Sequence, residues 1–253
     1  MMPNEGLLEV KNLKKFYGKV TAVSDISLKI RYDQVIMLVG ANGAGKTTFL
    51  NIIAGLTEAD DGEIILSGEN ITRFPPHKRA KKGIIKTFQL EHVFESMTVF
   101  DHIRTACISA DNKHYLFFKN INNEREINER AEEIIELFDL TEVKNVFVKS
   151  LGHGYRKVID IATSFAMKPK ILLIDEPTSG IGEEEKYRIM DLLMDQITAK
   201  KLSAIIVEHD LNLVKDLGRE TIVMHEGQFI ARGNPGDVFC QDNVIDILVG
   251  RGF

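Results

Sequence analysis

The sequence predicts an α/β fold: a largely parallel central sheet with a helical insertion in its middle third. Three observations carry this expectation. Short unbroken apolar runs at residues 35–39, 171–174 and 204–207 have the length and composition of strands buried on both faces. Each is followed by a stretch of helical periodicity, at 47–56, 184–198 and 211–217. Between them, from about 97 to 167, strand patterns give way to helical ones.

Taken in order, residues 7–13 alternate in part and read as a strand, and Phe16, Tyr17 and Gly18 read as a turn. Val23, Ile26, Leu28 and Ile30 mark a half-buried strand. The buried strand at 35–39 runs into a glycine-rich loop and the helix at 47–56. Residues 63–66 form another strand, closed by a turn at Ser67-Gly68. The basic stretch 73–82 reads as a solvated helix face. In the middle third, Ile127, Ala131, Ile134, Ile135 and Phe138 recur at helical spacing among charges. The aromatic patch 115–118 reads as packing. Val158, Ile161, Ala162 and Phe165 share one face of a helix that stops at Lys168-Pro169. Strands are expected at 221–224 and 228–232, and Asn234-Pro235 opens a terminal helix. Residues 1–253 then form one domain, with a helical subdomain at approximately 91–164.

Composition narrows the function. Net charge is −5 and the pI about 5.9, which leaves no electrostatic footprint for nucleic acid. The first five residues lack the basic stretch and apolar core of a leader, and no apolar run approaches the roughly 18–20 residues that span a bilayer. Two distant cysteines, Cys107 and Cys240, suggest no disulfide framework, and no histidine spacing suggests a metal cage.

The chemistry concentrates at a few places. Gly40, Ala41, Asn42, Gly43, Ala44, Gly45, Lys46, Thr47 and Thr48 fit the phosphate-binding loop pattern. Its glycines allow backbone N–H groups to converge on phosphate, and the helix that follows aims its positive end at the same anion. Lys46 would neutralise the β- and γ-phosphates of ATP, and Thr47 would offer a hydroxyl to Mg2+. The strand 171–174 ends in Asp175 and Glu176, at the sheet edge where ligands bind. Asp175 would hold the magnesium shell, and Glu176 would polarise the attacking water. Gly152, His153 and Gly154 form a glycine-containing turn at a helix start, a second anion site. His209, at a strand end near Asp175, could contact the γ-phosphate. Gln89 could reach magnesium and the water. Tyr17 could stack on adenine.

In this order, Tyr17, the loop 40–48, Gln89, the turn at 151–155, Asp175-Glu176 and His209 resemble the ATPase subunits of ABC transporters along essentially the whole chain. The resemblance implies a P-loop NTPase core with a mixed, mainly parallel sheet, N-terminal antiparallel strands and an inserted helical subdomain. It implies head-to-tail dimers, each ATP held between the loop of one chain and the signature turn of the other. A narrower likeness, in residues 86–99, in 207–211 and near 244–250, is to LivG-type ATPases of branched-chain amino-acid uptake. That type implies a second ATPase subunit (identical or distinct), transmembrane permease subunits, a solute-binding protein, and a peripheral position on the cytoplasmic face of the membrane. Alternatives that stay open are urea or amide uptake, lipopolysaccharide export, and a soluble ABC-type protein acting on nucleic acid or ribosomes.

Two departures stand out. The family signature reads Leu-Ser-Gly-Gly-Gln; here Gly152 stands at the serine, His153 at a glycine and Tyr155 at the glutamine. After residues 177–181, the usual aspartate is Gly182. Both changes lie in what this chain presents to its partner's nucleotide rather than to its own.

Overall fold

The computed structural model describes residues 6–87, 94–111 and 125–249. Gln89 and the aromatic patch 115–118 lie outside them. Among the described residues the chain runs β1 (Leu8–Tyr17), β2 (Val20–Ile30), β3 (Val35–Val39), α1 (Lys46–Ala54), β4 (Asp61–Leu66), β5 (Glu69–Asn70), α2 (Pro76–Lys81), β6 (Ile84–Lys86), α3 (Val99–Ala110), α4 (Arg125–Leu137), α5 (His153–Ala166), β7 (Ile171–Asp175), α6 (Glu183–Ala199), β8 (Ser203–Val207), α7 (Leu211–Leu217), β9 (Glu220–His225), β10 (Gln228–Gly233), α8 (Pro235–Val238) and α9 (Asp242–Val249).

Two sheets form among these residues. One is antiparallel, in the order β2-β1-β4-β5; the other runs β10-β9-β3-β8-β7-β6 and is parallel except for β10 at its edge. The second sheet separates two apolar layers. Because strand side chains alternate, Val35, Met37 and Val39 of β3 join one core with Leu172 and Ile174 of β7 and Ala204 and Ile206 of β8. Ile36 and Leu38 join the other, with Ile171, Leu173, Ile205 and Val207. The first core is completed by α3 to α9; the second by α1 and the antiparallel sheet. Strands buried on both faces must be apolar throughout, which is why their runs are continuous in the sequence.

Several local expectations are corrected. Phe16 and Tyr17 are not in the turn: they end β1, paired with Thr21 and Val20, and Gly18, at φ 60°, makes the turn. The helix after the loop starts at Lys46 and stops at Ala54, where Gly55 takes a left-handed conformation as its cap. Strands β5 and β6, of two and three residues, carry too little pattern to be expected. The terminal helix is two, α8 and α9; Asn234 begins the first without a side-chain cap bond. The basic stretch is not wholly solvated. Arg79 is buried, and its guanidinium donates to Phe74 O, Thr72 O, Ile52 O and Ile53 O at 2.6–2.9 Å. It thereby gives a charged donor to carbonyls in the last turn of α1, where Ile52 O also accepts the Gly55 N–H.

The helices α3, α4 and α5 pack on one another, with Phe138 and Phe165 in edge-to-face contact at 5.0 Å. Within this group His102 is buried; its Nδ1 faces Thr163 Oγ1 at 3.2 Å, and its buried Nε2 has no hydrogen-bond partner among the described residues. Thr163 Oγ1 donates to Ile159 O at 2.7 Å, so it accepts from Nδ1 and leaves Nε2 the unprotonated nitrogen. Burial holds the imidazole below its ordinary pKa. The unfolded chain then takes up a proton here, near pH about 6.5, that the folded chain refuses. Stability is therefore expected to fall as pH is lowered below about 6.5. Denaturant unfolding between about pH 5.5 and 7.5 checks this: His102→Leu should flatten part of the wild-type slope, and an identical slope in both proteins would contradict it.

Candidate functional site

The strand order brings three loops to one edge. β3, β8 and β7 are neighbours, and their registers align Leu38 with Val207 and Val207 with Asp175. The segments leaving these strands at their carboxyl ends, 40–45, 176–182 and 208–210, therefore converge where a parallel sheet binds ligands.

The loop after β3 turns sharply into α1. Gly45 sits at φ 105°, and a Cβ there would lie 2.2 Å from Ala22 O, so only glycine fits. The loop is tied to the antiparallel sheet as well: Gly227 N–H donates to Ala44 O, and Ser24 N–H to Gly227 O. Lys46 opens α1 and is buried; its Nζ donates back to Gly40 O at 2.8 Å and Ala41 O at 3.0 Å. Burial pushes the Lys46 ammonium below its ordinary pKa, while Glu176 and Asp175 pull it back up. A buried cation held only by neutral carbonyls and nearby carboxylates is well suited to a polyanion.

Asp175 closes β7 with its carboxylate fully buried. Oδ1 accepts from Thr47 Oγ1 at 3.3 Å, and Oδ2 pairs with Lys86 Nζ at 3.2 Å. Thr87 Oγ1 lies 3.4 Å from the Asp175 N–H, and Thr87 N–H donates to Leu173 O. A hydroxyl and a carboxylate side by side are hard oxygen donors that fit magnesium, an ion that keeps waters and takes substrate phosphates. Among the described residues no group of three or more His, Cys, Asp or Glu converges, so an all-protein cage is not on offer.

Glu176 adopts a left-handed backbone, φ 53°, unusual for this residue type, with its N–H donating to Val207 O at 3.0 Å. The turn points its carboxylate at His209: Oε1 is 2.5 Å from Nε2. The next residue back, Glu208, is buried and holds the two loops together. Its Oε1 accepts from Thr178 Oγ1 at 2.6 Å and Thr178 N–H at 3.3 Å, and its Oε2 from His209 N–H at 3.1 Å.

The sequence-predicted residues of loop 40–48, Asp175, Glu176 and His209 are thus brought together. Tyr17 stands 52% exposed at the end of the β1–β2 pair, whose Ala22 carbonyl abuts Gly45. Gly152 caps α5 and His153 and Gly154 start it, but these approach residues 180 and 185 rather than the loop. A Cβ on Gly180 would lie 3.0 Å from His153 Nε2, and one on Gly154 would meet the Glu185 carboxylate, which packs over this turn. Gly182 begins α6 without a side-chain cap bond. Sequence reasoning missed Lys86, Thr87 and Glu208. Its only signals were a lysine ending the apolar pair Ile84-Ile85 and an acid between a buried strand and His209.

The ABC transporter family model matches residues 23–179. The high-affinity branched-chain amino acid transport ATP-binding protein BraF of Pseudomonas aeruginosa is 32% identical, over 97% of this chain and 98% of its own. The lipopolysaccharide export system ATP-binding protein LptB of Haemophilus influenzae is 29% identical, over 98% of each chain. A crystal structure of an ATP-binding cassette of an ABC transporter in its ADP conformation superposes with a TM-score of 0.85 at 27% identity, covering 98% of this chain and 100% of that one. With more than half its length matched by the family and a phosphate loop, buried aspartate and Glu–His pair on one sheet edge, this chain belongs to the ABC transporter family, as an ATP-hydrolysing subunit.

Proposed function

We propose that this chain supplies the ATP-driven closure of an importer for branched-chain amino acids or related small solutes, working with a second ATPase subunit in a head-to-tail pair. The observation that carries the chemistry is the convergence of Lys46, Thr47, Asp175, Glu176 and His209 at the carboxyl ends of three adjacent strands.

In this reading the N–H groups of loop 40–48 and the positive end of α1 cradle the phosphates, and Lys46 leaves its carbonyls for them. Thr47 and Asp175, with Gln89, would hold a magnesium ion, which would neutralise the charge developing on the phosphates. Glu176 takes the proton of the attacking water, with Gln89 orienting that water, and His209 orients Glu176 and contacts the γ-phosphate. Tyr17 stacks on the adenine. Gly152, His153 and Gly154 face the nucleotide of the partner ATPase.

A groove of about 380 Å3 separates α2 and β6 from the second half of α5, with Leu56, Ala80, Ile85 and Met167 among its walls. It also borders Lys86, which pairs with Asp175. This continuity supports the groove as the seat of a permease segment, and the chain as a peripheral subunit on the cytoplasmic face. No described helix is long and apolar enough to cross a membrane. A solute-binding protein completes the system.

The solute class rests on the relatives. Those named for branched-chain amino-acid transport match across nearly the whole chain at 28–32% identity. The export ATPase at 29% identity favours lipopolysaccharide as the second reading.

Glu176→Gln is expected to keep ATP binding while slowing hydrolysis by the assembled transporter at least ~100-fold, the scale of a lost general base. Near-normal turnover would remove Glu176 from the mechanism. For the solute, Lys46→Ala in the chromosomal gene should abolish high-affinity uptake of labelled leucine, isoleucine and valine. Unchanged uptake of all three, with a defect in lipopolysaccharide delivery, would favour the second reading instead.

A further inference from the structure

One carboxylate holds the end of the β1–β2 pair. Asp60, immediately before β4, accepts the Phe16 N–H on Oδ2 at 2.6 Å and the Lys15 ammonium on Oδ1 at 3.0 Å. Its own N–H donates to Lys14 O at 2.9 Å. The pairing of β1 with β4 ends at Lys14 and Asp61, so beyond that point the Asp60 side chain stands in for the ladder bond β4 no longer supplies. The ammonium it grips lies 5.4 Å from the centroid of the Tyr17 ring, and the Lys15 side chain is only 14% exposed against 52% for Tyr17. The Phe16 N–H first, and then Lys15, hold the Asp60 carboxyl below its ordinary pKa.

We propose that Asp60 is a positioning residue for the nucleotide base: by gripping the backbone of Phe16 and the ammonium of Lys15, it fixes the Tyr17 ring as a platform for adenine. This rests on the reading of Tyr17 given above. The physical advantage is preorganisation. A ring already held by its own backbone and by a cation near its face loses less freedom when a base stacks on it. Among the described residues the hydrogen bonds of Asp60 go to Phe16, Lys15 and Lys14 and not to the loop 40–48, so its effect should follow the base alone. A residue that merely stapled β1 to β4 would disturb every ligand alike, because β2 abuts the loop at Gly45.

The experiment compares binding of Mg-ATP with that of magnesium tripolyphosphate, which has the phosphates and no base, to the purified full chain. Asp60→Ala should weaken ATP about 5- to 20-fold, within the range of base–aromatic stacking, and leave tripolyphosphate within about twofold. Asp60→Asn, which keeps an acceptor for Phe16 but loses the ion pair, should fall between. Tyr17→Ala should give the same base-selective loss, and adding Asp60→Ala to it should cost little more. Equal losses for both ligands, no loss of ATP affinity in Asp60→Ala, or full additivity of the two changes would each overturn the proposal while leaving Tyr17 as the platform. If Tyr17→Ala leaves ATP affinity unchanged, the reading of Tyr17 fails and the proposal falls with it.

Discussion

The Asp175 carboxylate has no exposed surface, and the arrangement around it follows from that. A buried carboxylate without partners costs several kcal/mol. Here one oxygen is met by the Thr47 hydroxyl at the start of α1 and the other by Lys86 at the end of β6. The two partners come from different directions: β6 is the neighbour of β7 in the sheet, while α1 lies on the face of the second core. Removing either partner of a buried pair costs about 3–5 kcal/mol, so the requirement fastens the phosphate loop and the segment entering 88–93 to the same strand end. Lys86 also lines the apolar groove, so the pair joins the end of β7 to the groove wall.

Glu176 and His209 depend on the same frame. The chain must leave β7 in a left-handed turn for the glutamate to reach the histidine, and such backbone costs energy unless its surroundings hold it. The Val207 carbonyl takes the Glu176 N–H, and the buried Glu208 ties Thr178 to His209. The pair is thus set by two strand ends in register rather than by flexible loops. At the other end of this segment, His153 lies near Gly180, and Glu185 lies over Gly154.

Much of this was legible in the sequence. The continuous apolar runs of β3, β7 and β8 could be read because burial on both faces leaves no room for polar residues. Loop 40–48 was legible because phosphate binding demands glycines at fixed offsets, and Gly45 shows why: Ala22 O stands where a side chain would be. Lys86, Glu208, Arg79 and Asp60 were not legible, since each owes its role to a partner far away in the chain. Arg79 looks like any other base in a charged stretch until the carbonyls of α1 are brought over it. Phe16 and Tyr17 read as a turn because aromatic residues before glycine resemble one; only pairing with β2 places them on a strand.

The claim on which the account turns is that Asp175 and Thr47 hold the metal of a nucleotide gripped by loop 40–48. The most direct measurement is ATP affinity with saturating magnesium and with chelator, for wild type and Asp175→Asn. Magnesium should tighten ATP binding to the wild type, Asp175→Asn should lose at least ~10-fold of that gain, and affinity in chelator should stay within about threefold. An undiminished magnesium gain in Asp175→Asn would contradict it.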